Sequence, residues 1–276
     1  MNNVLIGNFA PGRWELWPRP AIRVVNWNID RGQKLPEIID FLASQNADLL
    51  ILQEVDLNAR RTHRVNVAEE IARRLGMNYV WGREFEELTQ GSRSSPAYHG
   101  QTTLSKWRLQ NPRVIQFRRQ SNFWRPRWFL PHMEPFQERI GGRIALVTEV
   151  ENAGRRLTVY NLHLESRGDN DLRLAQLEEV LQDAAKYAHQ SPVLLAGDLN
   201  FDAWGTSRAG ATQDFGFRSA LGLPSPHTTP ARGLFQRPRS IDWAFVAGRV
   251  EATQGRVHNT INASDHYPIS FTMRFS

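Results

Sequence analysis

The apolar run Val193–Gly197, VLLAG, stops abruptly on Asp198 and Asn200. A run this short and this apolar reads as a strand buried on both faces, as inside an α/β sheet. Asp198 and Asn200 lie two apart, so if strand geometry persists to the tip both side chains leave one face: an anionic oxygen ligand beside a neutral amide. Gly197 allows a close backbone approach. A strand followed by an Asx turn would look the same from this segment alone, because Asp and Asn favour turns. What narrows the choice of fold is that the pattern recurs.

Ala21–Trp27, AIRVVNW, is β-branched and runs into Asn26, Asn28 and Asp30. Asp48–Gln53, DLLILQ, stops at Glu54, a carboxylate that must either face solvent or meet a cation. Arg143–Val150 and Leu157–Leu164 read as a hairpin around Asn152-Ala153-Gly154, and the second strand delivers Asn161 and His163. Ser240–Val246 alternates and carries Asp242, and Ser264-Asp265-His266 precedes a last strand, Ile269–Phe275. A lone polar strand end is ordinary; this many together call for a common destination.

Between the strands lies scaffold. Leu35, Ile38, Ile39 and Leu42 follow a helical period with Pro36 in the first turn. Asn66-Val67-Ala68-Glu69 resembles a capping box, and its helix closes at Gly76. Leu174, Leu177, Leu181, Ala184 and Ala188 trace another helix. Gly82–Ala97 is expected as a loop, Gln101–Leu104 as a strand, and a short helix is expected around Arg218–Leu221 inside the Gly/Pro/Ser-rich stretch Asp202–Arg239. With neither repeat nor linker, residues 1–276 are expected to form one domain.

Arg113–Arg139 stands apart, with six arginines against two glutamates and with the aromatics Phe117, Phe123, Trp124, Trp128, Phe129 and Phe136. Cations interleaved with rings suit a phosphate backbone and its bases, with Trp124, Arg125 and Arg127 as the candidate contacts, or a membrane surface. Alternatively the rings fill a satellite core while the arginines are solvated.

Composition removes several chemistries. There is no cysteine, hence no disulfide, thiolate nucleophile or Cys-based zinc site. The net charge of +6 is carried almost wholly by arginine, which favours a polyanionic partner through its bidentate fork. No run is long enough to span a bilayer, and Met1–Pro20 lacks the pattern of a signal peptide, so a soluble cytoplasmic protein is expected, with secretion left open. Neither closely spaced helical histidines nor a Gly-x-Ser-x-Gly elbow is present. Acidic and amide oxygens in this chain suit a hard cation, Mg²⁺ or Mn²⁺, and the histidines suit proton transfer.

Six segments in order, NWNID (Asn26–Asp30), LQEVD (Leu52–Asp56), NLHLES (Asn161–Ser166), GDLNFD (Gly197–Asp202), SIDWAFV (Ser240–Val246) and SDHYP (Ser264–Pro268), resemble the endonuclease/exonuclease/phosphatase superfamily with its DNase I-like fold. The resemblance implies an α/β four-layer αββα sandwich, two mixed β-sheets flanked by helices, with the site at one end of the sheets. It further implies Glu54 as principal metal ligand, with Asn28, Asp30 and Asp265 lining the metal and phosphate site. Asp198 would orient or deprotonate the attacking water, Asn200 and His163 would contact the phosphate oxygens, and His266 paired with Asp242 would complete the acid/base machinery. Whether Asp198 or His266 takes the proton stays open. Asn161 and Arg167 are added as substrate contacts. His163 departs from the tyrosine of exonuclease III-type enzymes, and NID, HLES-Arg167-Gly168 and SDH look most like the 5′-tyrosyl-DNA phosphodiesterase branch, although Leu199 replaces that branch's threonine.

The reading that follows is a monomeric, metal-dependent phosphodiesterase acting on nucleic acid, DNA first. A phosphatase or phosphodiesterase for lipid or small phosphoesters is the alternative, and a non-catalytic binding module the third possibility.

Overall fold

The computed structural model describes residues 3–12, 20–129, 133, 136–152, 154–202, 210–222, 225–231 and 237–276. Along the chain, β1 (Val4–Gly7), β2 (Ala21–Arg31), helix α1 (Leu35–Gln45), β3 (Leu49–Leu57), helix α2 (Val67–Leu75), β4 (Asn78–Glu87) and β5 (Ala97–Ser105) build most of one sheet and its outer layer. β6 (Leu109–Gln116) opens a second sheet, and β7 (Arg139–Gly141) returns to the edge of β4. β8 (Ile144–Asn152), β9 (Arg155–His163), helix α3 (Asn170–Ala188), β10 (Val193–Asp198), the short helix α4 (Gly210–Asp214), β11 (Arg218–Ser219) and β12 (Asp242–Ala247) follow. β13 (Val250–Val257) and β14 (Ile269–Phe275) close the first sheet.

The first sheet runs β1-β4-β5-β3-β2-β14-β13 and the second β11-β12-β10-β9-β8-β6. Both are mixed, because β2–β3 and β9–β10 are parallel pairs among antiparallel ones. Three apolar clusters make the layers. Ile22, Val24, Leu49 and Ile51 of one sheet meet Leu146, Val159, Leu194 and Ala196 of the other. The outer face of the first sheet is covered by α1 and α2 through Ile38, Leu42, Ala68 and Ile71, and that of the second by α3 through Leu174, Leu177 and Leu181. This is the expected four-layer αββα sandwich, with helices outside both sheets because central strands such as LLIL of β3, VLLA of β10 and WAFV of β12 are apolar on both sides.

Local chemistry sets the scaffold. The Asn66 side chain accepts from the Glu69 amide at 3.2 Å and Gly76 ends α2 in the left-handed region, as the capping pattern predicts. Two expectations change. Gly82–Ala97 is not a loop throughout, since β4 continues to Glu87 and pairs with Ala97–Gly100 of β5. Around Arg218–Leu221 the chain is a strand rather than a helix, Arg218 and Ser219 pairing with Val246 and Phe245 to cap the sheet edge. β6 likewise claims Arg113, whose guanidinium is bonded to Asp183, so the arginine/aromatic insertion begins only after Gln116.

Two features place strand tips together. β9, β10 and β12 are in register such that Asp198 lies opposite His163 on one side and Asp242 on the other. That register leaves no room beside Gly197: a Cβ there would stand 1.9 Å from the Leu162 carbonyl oxygen. In the other sheet the parallel register of β2 and β3 breaks after Asn28/Gln53, and Asp30 and Glu54 take φ of 43° and 51°. Non-glycine residues in that region are rare and gather where a bulge re-aims a functional side chain.

Candidate active site

At these tips the side chains of both sheets meet. Asp198, almost fully buried, is the hub. Its Oδ2 accepts a hydrogen bond from Asn28 Nδ2 at 3.1 Å and stands 3.7 Å from Nε2 of both His163 and His266, while Oδ1 accepts from the Asn200 amide at 2.8 Å. Asn200 reaches this place in the left-handed region, φ 55°, and its side chain donates to the Leu164 carbonyl at 3.1 Å.

His266 is held on its far side by Asp242, whose Oδ2 lies 2.8 Å from Nδ1, and its carbonyl oxygen accepts from the Trp27 indole at 2.8 Å. Burial alone would lower the pKa of this imidazole, but Asp242 and then Asp198 outweigh it and raise the value to about 9. Burial lifts Asp242 above the usual carboxylate range despite the pull of His266. The sign follows. A histidine raised from 6.5 to about 9 contributes stability present below pH 6.5 and lost as pH climbs through about 9. Imidazole NMR of the metal-free protein is therefore expected to show His266 titrating near 9, and the melting temperature to fall across that range. A midpoint near 6.5 would break the Asp242–His266–Asp198 account.

His163 is oriented by residues the sequence reading passed over. Its Nδ1 lies 2.8 Å from Arg143 Nη1 and 3.4 Å from Glu84 Oε1. Because a guanidinium is always a donor, Nδ1 accepts and Nε2 carries the proton, aimed at Asp198 and, 3.9 Å away, at Glu54 Oε1. Arg143 also donates to Glu84 Oε2 at 2.6 Å with both side chains buried. Burial would raise Glu84, but the Arg143 guanidinium beside it brings it down to about 2. Glu84 falls in the segment expected as loop, and only the alternation of β4 could have marked it as inward-facing.

Glu54 sits at the mouth of this network. Burial raises its carboxyl, yet the guanidinium charges of Arg31 and Arg143 hold it well below the ordinary value, so it is an ionised oxygen donor. Arg31 Nη2 is 3.8 Å from it. A cavity of about 400 Å³ is lined by Glu54, Arg139, Arg143, His163, Arg167, Asp198, Asn200, Asp265 and His266. Ionised, hard oxygen donors beside a cavity fit a divalent cation such as Mg²⁺ or Mn²⁺. A larger cavity of about 540 Å³ at the opposite ends of β9 and β10 has no histidine, aspartate or glutamate in its lining.

Not every expected residue is here. Asp30 turns instead to Arg31 Nη1 at 2.6 Å and does not line the cavity. Asn161 is fully buried below it, donating to the Leu52 and Thr102 carbonyls and accepting from Gln53, so it ties the sheets together and has no surface for substrate. Arg125 and Arg127 are exposed outside the cavity, whereas Trp124 and Arg167 line it. Of the insertion's rings Phe117 enters the core, but Trp128 is 96% exposed and Phe129 59%, so a satellite core is not what they form.

Two face-to-face mixed sheets carrying a buried carboxylate–imidazole cluster at one end define a phosphoester hydrolase of DNase I-like fold. Residues 25–266 match the Endonuclease/Exonuclease/phosphatase family, and the chain belongs to that family. No curated protein matches the sequence. Among solved structures it is similar to an endonuclease/exonuclease/phosphatase protein from Beutenbergia cavernae, at 17% identity and TM-score 0.67 over 94% of this chain and 72% of that one. Humanized D. rerio TDP2 aligns at 18% identity and TM-score 0.62 over 93% and 100%. ANGEL2, described as a 2′,3′-cyclic phosphatase and solved with adenosine-2′,3′-vanadate, aligns at 14% identity and TM-score 0.63 over 92% and 96%. Among the described residues no helix is long and apolar enough to cross a membrane.

Proposed function

We propose that the protein is a divalent-metal-dependent phosphodiesterase that cleaves nucleic acid, DNA first. The observation that carries this reading is the convergence on Asp198 Oδ2 of Asn28, His163 and His266 from three separate segments, beside the ionised Glu54. Glu54 would hold the ion, with Asn28 and Asp265 beside it, and a dication there supplies charge neutralisation to a phosphate. Asp198, accepting on Oδ1 from the Asn200 amide, positions the attacking water with Oδ2. His163, with its proton fixed on Nε2, and Asn200 donate to phosphate oxygens as charge builds. His266, held charged by Asp242, stabilises the same charge and can give its proton to the departing oxygen.

The rim favours a nucleic acid. Arg167 stacks 4.9 Å over Phe123 and 5.5 Å over Trp124, and Arg139 lies 5.1 Å from Trp124 on the cavity side. Such a cation–ring ladder leading out of a cavity of about 400 Å³ suits a strand of alternating phosphates and bases. That ANGEL2, of similar fold, was solved in complex with adenosine-2′,3′-vanadate supports a nucleotide-type ligand.

The test offers plasmid, single-stranded DNA, RNA, a 5′-tyrosyl oligonucleotide, a sphingolipid and a bis-aryl phosphodiester with Mg²⁺, Mn²⁺ or EDTA. Metal-dependent cleavage of a nucleic acid is expected. Single-stranded DNA binding should fall with a log–log salt slope of about −3, as four phosphate contacts would give. The exposed Trp128 and Phe129 favour a second reading, a lipid phosphoester. Cleavage confined to the sphingolipid, with vesicle binding indifferent to salt, would replace the first reading by the second.

A further inference from the structure

His99, near the start of β5 and opposite Asp56 of β3, is given no step in the chemistry above. It is fully buried, and its Nδ1 is 2.9 Å from Asp56 Oδ1. Asp56 also accepts from Arg61 Nε at 2.7 Å and Nη2 at 2.9 Å. Both Asp56 oxygens are taken by the Arg61 fork, the pairing of a guanidinium with a carboxylate. Nδ1 therefore donates to it, and in the neutral imidazole Nε2 keeps its lone pair. That lone pair is buried with no hydrogen-bond partner. A buried acceptor left unmade is costly, and one beside an active site needs a reason.

The surroundings give one. A ring nitrogen of His99, a ring nitrogen of His163 and a carboxylate oxygen of Glu54 lie within 4.8 Å of one another. Bonds of about 2.1 Å to a common ion put ligand atoms about 3 to 4 Å apart, inside the 4.8 Å that bounds this group. His163 is disqualified as a ligand because Arg143 occupies its Nδ1 and leaves the proton on Nε2. Glu54 and His99 remain. We propose that His99 Nε2 is a direct ligand of the divalent ion held by Glu54, and that this nitrogen makes the site prefer Mn²⁺ to Mg²⁺. Asp56 then plays the outer carboxylate that fixes a metal-binding imidazole's tautomer. Imidazole is a poor match for Mg²⁺, which demands oxygen and keeps its waters, and a good one for first-row transition ions.

The inference rests on the proposed metal site but is tested apart from activity. Pulsed EPR on Mn²⁺-loaded wild-type protein should show ¹⁴N modulation, converted to the ¹⁵N pattern by histidine labelling. It should persist in His163→Gln and vanish in His99→Gln, where Mn²⁺ affinity drops at least about tenfold while Mg²⁺ affinity changes little. Tight Mn²⁺ binding without nitrogen modulation in the wild type overturns this proposal and leaves the phosphodiesterase reading intact. So does modulation lost in His163→Gln but kept in His99→Gln. Should His99→Gln not fold, the labelled wild-type and His163→Gln spectra decide alone. Failure of Mn²⁺ to bind at all overturns the metal site together with the nitrogen ligand.

Discussion

Asp198→Asn is expected to yield a folded protein whose metal-dependent phosphoester hydrolysis is at least about 10³-fold slower, the range for removing a positioned base or charge. The amide is isosteric, so it can keep the 2.8 Å bond from the Asn200 amide through its carbonyl oxygen. What it cannot do is present a negative Oδ2 to Asn28, His163 and His266 at once. The loss should fall on kcat, with the melting temperature near that of the wild type. Retained turnover in a well-folded Asp198→Asn protein would show that the convergence is architectural rather than chemical.

Arg143→Met should damage stability most. It strands Glu84, fully buried and paired with Arg143 at 2.6 Å, as an uncompensated interior charge. Breaking such a pair from one side costs about 3–5 kcal/mol, or a melting temperature lower by about 10 °C in a chain of this size. Adding Glu84→Gln removes the stranded charge and should recover much of the loss, because the pair replaced together costs far less than one half removed. There is a pH signature too. Glu84, depressed from 4.5 to about 2, contributes stability present above pH 4.5 and lost as pH falls through about 2. Thermal melts of the single variant should lose that acid limb, and activity should drop as His163 is no longer fixed at Nδ1. Additive effects in the double variant would contradict the pairing.

Much of this arrangement is legible in the chain because strand tips and helix caps are local. The run ending at Asp198, the cap at Asn66 and the strand Ile269–Phe275 all appear where the pattern puts them. That Glu54, Asp198 and His266 share one destination is suggested by the recurrence of polar strand ends, but their individual roles come only from the resemblance, since nothing local links segments so far apart. The misses have a common cause. Glu84 and His99 are polar residues buried in strands and Arg143 is buried just before one, and each is tolerated only because a partner distant in sequence bonds it: Arg143 for Glu84, Asp56 for His99. Read locally, Gly82–Ala97 is a polar loop; read with its partners, Asn78–Glu87 is a strand. Asn161 misled in the opposite direction. Its position two before His163 suggests a shared face and a shared task, but lower in the strand that face meets the other sheet, where the Leu52 and Thr102 carbonyls claim its amide.

The row His163, Asp198, Asp242 is welded into three adjacent strands by their backbone ladder. Slipping β10 by one residue would turn Asp198 away from both neighbours, so these three side chains can hardly drift. Arg167, Trp124, Thr229 and Arg239, by contrast, approach the same cavity from outside regular strands. Substrate preference can therefore be rewritten there, by grafting or shortening the rim, while the hydrolytic apparatus stays untouched. An engineer seeking a new specificity should leave the ladder alone and randomise its frame.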